Sequence, residues 1–176
     1  MTIRLYDLVE AKDRSISPFV WRIKYALAHK GLDFETQPVG FGDIPKLCGG
    51  KYKTVPIIED GAVSMNESLA IADYLDKAYP DRPAIFATPQ ERAMARFFDG
   101  WFGLEIMNRM FAINVLDIHN HARTSDQPYF RQSREARLGG KTLFPWRRRP
   151  LLCRLHRARR FHLGGHSLHR AAPCRR

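Results

Sequence analysis

Residues 139–176 contain no Asp or Glu, and that absence divides the chain. They carry 11 Lys and Arg, whereas residues 1–138 carry 18 Lys and Arg against 18 Asp and Glu. The formal charge of +11 therefore belongs to one terminal stretch and not to the body. A uniformly basic, nucleic-acid-binding domain is excluded by this split. The first 138 residues suffice for one domain of ordinary size, or for a small domain plus part of another. No apolar run reaches the roughly 18 residues that a membrane helix needs, and Met1-Thr2-Ile3-Arg4 has no secretory pattern. Cys48, Cys153 and Cys174 are odd in number, widely spaced and without a CxxC. They argue against a disulfide framework and suit a reducing cytosol. A cytoplasmic protein with no membrane partner is expected.

The body reads as an alternating α/β pattern. Ile3–Leu8 is a short strand. Ser17 is placed to cap a helix that opens at Pro18, carries Phe19, Val20, Ile23, Ala26 and Leu27 at helical spacing, and stops at Gly31. Phe34–Val39 is a second strand. Residues 40–53 form an irregular stretch with room for one short helix. Val55–Glu59 and Val63–Met65 flank Asp60-Gly61, a hairpin signal. Residues 67–79 are helical, and Pro80-Asp81-Arg82-Pro83 ends that helix. A helix between the first two strands implies that they are parallel, while the hairpin is antiparallel. A linker over 84–89 leads to a long helical stretch from Glu91, in which Gly100 and Gly103 allow a bend. A further helix runs from Asp126 to Leu138.

Three segments in this order resemble the glutathione transferase superfamily over residues 3–138. They are Ser15-Ile16-Ser17-Pro18-Phe19-Val20-Trp21-Arg22, Thr54-Val55-Pro56-Ile57 and Asn66-Glu67-Ser68-Leu69-Ala70-Ile71-Ala72. The first is most similar to the serine-type branch with bacterial lignin β-etherases and fungal etherase-like enzymes. The resemblance implies a thioredoxin-like, glutathione-binding α/β domain at 1–84. It further implies the start of an all-helical second domain, cut short, at 85–138. Residues 139–176 form an irregular basic tail that does not match.

The implied chemistry needs glutathione as a thiolate, as co-substrate and with no metal. Lowering a thiol pKa by two units takes about 2.7 kcal/mol. A helix N-terminus gives about 0.3–1 kcal/mol, and a hydroxyl donated to a charged sulfur about 1.5–3 kcal/mol. Both together suffice. The resemblance makes Ser17 the thiolate donor, with Ser15 in reserve. It assigns the glutathione backbone to Val55 and Pro56 (the latter cis in the family) and the γ-glutamyl group to Glu67 and Ser68; Lys53 is a candidate for the glycine carboxylate, with Lys46 and Lys51 equally placed in the same loop. Read alone, Ser17 is an N-cap, Pro56 an edge-strand proline and Glu67-Ser68 a capping pair. Trp101, Phe102 and Met107 are candidates for a second-substrate pocket, though such spacing also suits plain core packing. Without CxxC, disulfide exchange by the chain itself is not expected.

The expected partners are glutathione and a small hydrophobic electrophile, with a homodimer implied by the resemblance. The expected activity is conjugation or glutathione-dependent ether cleavage. The alternative is a non-catalytic glutathione-binding remnant of a truncated or frameshifted gene. A second alternative is a binder of nucleic acid or anionic surfaces, through Arg147-Arg148-Arg149 and the Arg cluster at 154–160. The His and Cys of the tail match no standard zinc pattern. With few helices to cover Phe97, Trp101, Met107 and Phe111, reduced stability or solubility is expected.

Overall fold

The computed structural model describes residues 2–137, so every expectation about the basic tail lies outside the described residues. Four strands form one sheet: β1 (Ile3–Leu8), β2 (Phe34–Val39), β3 (Ile57–Asp60) and β4 (Val63–Asn66), in the order β2-β1-β3-β4. β1 pairs parallel with β2 from Ile3 opposite Phe34 to Leu8 opposite Val39. It pairs antiparallel with β3 through Leu5 and Ile58, and β3 pairs antiparallel with β4. This is the thioredoxin-like α/β arrangement, and a helical region follows it.

Helix α1 (Pro18–Lys30) is fixed at both ends by local chemistry. Ser17 sits in extended backbone and its Oγ accepts the Val20 N–H at 3.3 Å. Pro18 occupies the first turn, where a missing N–H costs nothing. Gly31 ends the helix at φ +63°, a conformation glycine adopts without penalty. Helix α2 (Ser68–Ala78) returns against it. Ile3, Leu5 and Ile58 from the sheet close with Val20, Ile23, Leu27, Ile71 and Leu75 into one apolar cluster. The opposite sheet face offers Tyr6, Leu8, Val39 and Ile57 to Phe41, Ile44 and Tyr52, and to the helical region.

That region holds α3 (Pro89–Trp101), a π-helical segment (Phe102–Met107), α4 (Asn108–His121) and α5 (Gln127–Arg137). Val115, Ala122 and Phe130 reach the second cluster, where Phe130 meets Phe41 edge-on at 4.7 Å. Asp126 accepts the Gly42 N–H at 2.9 Å. A Cβ on Gly40 would lie 2.0 Å from Asp126 Oδ2, so the two regions meet only because residue 40 lacks a side chain.

A second junction is electrostatic. The Lys30 side chain, wholly buried at the end of α1, donates to Asp76 Oδ1 at 2.8 Å and to the Pro83 carbonyl at 3.0 Å. The Asp76 carboxylate also accepts the N–H groups of Ile85 and Phe86. Burial would raise this carboxyl, but those two N–H donors and the Lys30 ammonium outweigh it and hold it below the usual carboxylate range. Arg92 of α3 clasps Asp73 of α2 through two hydrogen bonds, which depress the Asp73 carboxyl.

Some element boundaries differ from those read in the sequence. β3 starts at Ile57 rather than Val55, because Pro56 has no N–H for the ladder. α2 starts at Ser68 because Glu67 lies at φ +73°, outside helical space. α3 begins at Pro89, where Thr88 Oγ1 accepts the Glu91 N–H. The long helix carries a π-helical segment between α3 and α4, and Gly103 lies within it.

Candidate functional site

The start of α1 opens onto a cavity of about 720 Å3. Ser15, Pro18 and Trp21 form one wall, while Met107, Phe111 and Ile118 of the helical region form the other. One end is polar. Glu10 is buried, accepts from Arg14 Nε at 2.7 Å and from the Lys12 N–H at 3.2 Å, and shares the cavity wall with His121. The Arg14 hydrogen bond, stronger than the opposing effect of burial, holds the Glu10 carboxyl below its ordinary range.

The two candidate serines differ in how their hydroxyls are used. Ser15 Oγ donates to Asp7 Oδ1 at 2.6 Å, and Lys24 Nζ donates to Asp7 Oδ2 at 2.6 Å. The Ser15 proton is thus committed to Asp7. Ser17 is only 6% exposed and does not line the larger cavity, whose wall begins with its neighbours Ile16 and Pro18. Its oxygen accepts from Val20 N–H, which leaves its own proton available to donate.

Val55 is half-buried and Pro56 buried, and the peptide bond between them is cis. Glu67 is exposed at the head of α2, at a φ costly for a non-glycine residue; such strain concentrates at functional sites. Ser68 opens α2, whose unpaired N–H groups suit a carboxylate. Lys53 is exposed. Cys48 is half-buried, and burial together with Glu59 pushes its thiol up, away from thiolate reactivity.

Two residues without an assigned role join this site. Arg22 Nη1 donates to Ser68 Oγ at 3.4 Å and forms an ion pair with Asp99 of α3. Its guanidinium lies 4.8 Å from the Phe19 ring centroid and 5.1 Å from that of Phe102. Arg22 therefore ties α1, the head of α2 and α3 together. It ends the first motif, but Asp99 is 77 residues away and no local signal marks it. A second cavity of about 390 Å3 lies beside this tie, with Ser68, Asp99 and Trp101 in its wall. Of the three residues expected in a second-substrate pocket, Phe102 and Met107 line the larger cavity, while Trp101 lines the smaller one.

Among the described residues, no group of three His, Cys, Asp or Glu is placed to hold a metal ion. Among them, no helix is long and apolar enough to cross a membrane.

Residues 13–83 match the family model of the glutathione S-transferase N-terminal domain. A probable glutathione S-transferase of Glycine max is 32% identical over 85 residues, which are 47% of this chain and 38% of that protein. The chain thus spans well under two thirds of that curated relative. Among solved structures, a glutathione S-transferase of Ceriporiopsis subvermispora in complex with glutathione aligns with TM-score 0.77 and 28% identity, covering 89% of this chain and 67% of that one. A glutathione transferase of Phanerochaete chrysosporium aligns with TM-score 0.69 and 30% identity, covering 79% of this chain and 62% of that one. Residues 13–83 are thus a glutathione transferase N-terminal domain, and the superfamily is the glutathione transferases.

Proposed function

We propose that the chain binds glutathione between the start of α1, the Val55-Pro56 turn and the head of α2, and presents its thiolate to an electrophilic carbon held in the larger cavity. Residues 1–84 are the glutathione-binding domain in this reading, and 85–138 begin the helical domain. The observation that carries it is the opening of the α1 N-terminus onto the apolar 720 Å3 cavity. Glutathione is the molecule bound in the Ceriporiopsis relative.

Ser17 is the proposed catalytic residue, because a thiolate needs a donated proton and Ser17 has one to give. Ser15, whose proton goes to Asp7, is a wall residue. Glu67 accepts from the ligand's ammonium, the α2 N–H groups and Ser68 take the γ-glutamyl carboxylate, and Val55 and Pro56 contact the cysteinyl backbone. Lys53 is the proposed partner of the glycine carboxylate. Arg22 positions Ser68 from behind. In the reaction the sulfur forms a bond to carbon and the leaving group departs with the bonding pair. Conjugation and ether cleavage share this step.

Calorimetric titration of the full chain with glutathione, followed by turnover of 1-chloro-2,4-dinitrobenzene, tests the reading. Saturable binding with turnover that drops in Ser17→Ala supports it. No binding to folded protein ends it. Binding without turnover gives a second reading, a glutathione-binding protein without catalysis. That reading is favoured by α3, none of whose side chains is buried.

A further inference from the structure

We propose that Phe102 is the partition between the two cavities, and that it sets the length of the apolar ligand the larger cavity accepts. Among the described residues, Phe102 is the one side chain in both walls. It is half-buried, and its ring is held against the Arg22 guanidinium, which is itself fixed by Ser68 and Asp99. The ring is therefore a braced wall.

The π-helical segment explains why this residue holds that place. From Met107, the last residue of the π-helical segment, and along α4, the cavity-facing positions Met107, Met110, Phe111, Asn114, Ile118 and His121 follow helical spacing. Continued backward as an α-helix, the same face would present Leu104 and Gly103, three and four residues before Met107. Phe102, five residues before, would be rotated by about 140° from Met107. In a π turn the hydrogen bonds run from i to i+5, and residues five apart come to the same side. Phe102 and Met107 accordingly face one cavity, while Leu104 points to solvent at 71% exposure. On its other side, Phe102 continues the α3 face of Ala95, Phe98 and Asp99 that lines the smaller cavity.

Beyond the partition, the smaller cavity is floored by Ile23, Ala26, Ala72 and Ile85, an apolar extension. Shortening residue 102 joins the 720 Å3 and 390 Å3 spaces. The ligands that gain are rigid aromatics longer than the larger cavity alone. This inference rests on the cavities and not on glutathione chemistry, so its test needs no turnover.

The test is fluorescence titration of the full chain with anilinonaphthalene sulfonate and with its longer dimer, bis-anilinonaphthalene sulfonate. Binding to the exposed apolar face is common to all variants and cancels in the ratio of the two affinities. In Phe102→Ala the dimer should gain about tenfold over the monomer, the worth of one newly buried ring. Phe102→Leu should shift the ratio the same way by a smaller factor, and Leu104→Ala should leave it unchanged. Circular dichroism checks that each variant is folded. The proposal is overturned by an unchanged ratio in folded Phe102→Ala, or in Phe102→Leu where the alanine variant does not fold. An equal shift in Leu104→Ala overturns it too.

Discussion

The sheet with α1 and α2 and the helical region after it are built from similar side chains but closed to different degrees. Leu5, Val20, Leu27, Ile58, Ile71 and Leu75 are fully buried between one sheet face and two helices. In α3 no side chain is buried, and Phe97 stands 65% exposed on an aromatic face that continues through Phe98 and Trp101. A helix contributes to stability through the face it buries rather than through propensity. The first region thus holds itself together, whereas α3 is held by polar ties, Arg92 to Asp73 and Arg22 to Asp99.

The strongest way to break this contrast is to disturb the buried ion pair of Lys30 in α1 with Asp76 in α2, the carboxylate that also holds the linker. Asp76→Ala leaves the Lys30 ammonium buried without its partner, and about 3–5 kcal/mol of stability should be lost in denaturant unfolding. A loss under about 1 kcal/mol would mean that the pair is wet and that the regions are not coupled there.

Ser17→Ala should lower turnover about 10- to 100-fold through loss of the donated hydrogen bond. It should also cost about 1 kcal/mol of stability through loss of the cap. Ser17→Thr, which keeps both, should restore each. If stability falls while turnover holds, Ser17 is a cap and nothing more.

Gly40→Ala should destabilise by about 1–3 kcal/mol, because its Cβ would fall on the Asp126 carboxylate that is tied to Gly42. Thermal melts of Gly40→Ala with and without Asp126→Ala check this. The second change should recover part of the loss if the contact is its cause.

Acid should loosen the polar ties before the sheet core. The folded-state pKa values of Asp73 and Asp76 lie below their ordinary values. Their stabilisation is therefore complete above the unfolded-state value of about 3.9 and is lost as pH falls through the folded values. Amide exchange should show Ile85 and Phe86 losing protection below about pH 4 while Leu5 and Ile58 keep theirs. Simultaneous loss would make the two regions one cooperative unit.

The smallest expected effect is a gain. A Cβ on Gly100 meets nothing within 4 Å, so Gly100→Ala should raise stability by up to about 1 kcal/mol.

What the sequence showed of this fold was local. Ser17-Pro18 and Gly31 mark the ends of α1, and Asp60-Gly61 marks the hairpin, because cap and turn chemistry acts over a few residues. The parallel pairing of β1 with β2 followed from the connecting helix. Meetings between distant residues were not legible. Arg22 finds Asp99 across 77 residues and Gly42 finds Asp126 across 84, and nothing in either neighbourhood names its partner. The π-helical segment was hidden for another reason. Gly100 and Gly103 announce weak helix, but whether weakness becomes a bend or an added residue per turn depends on what Phe102 packs against. At the site, the first motif pointed to Ser17 with Ser15 in reserve, and their hydrogen bonds separate a committed hydroxyl at Ser15 from one at Ser17 that can still donate.

The Asp76 carboxylate has a consequence for how such chains could be recombined. By gripping the N–H groups of Ile85 and Phe86 while anchored to Lys30, one side chain sets the heading in which the polypeptide leaves the sheet unit. A foreign helical module spliced on after Phe86 would inherit that heading, whatever its own sequence. The same splice made on an Asp76→Ala background would not.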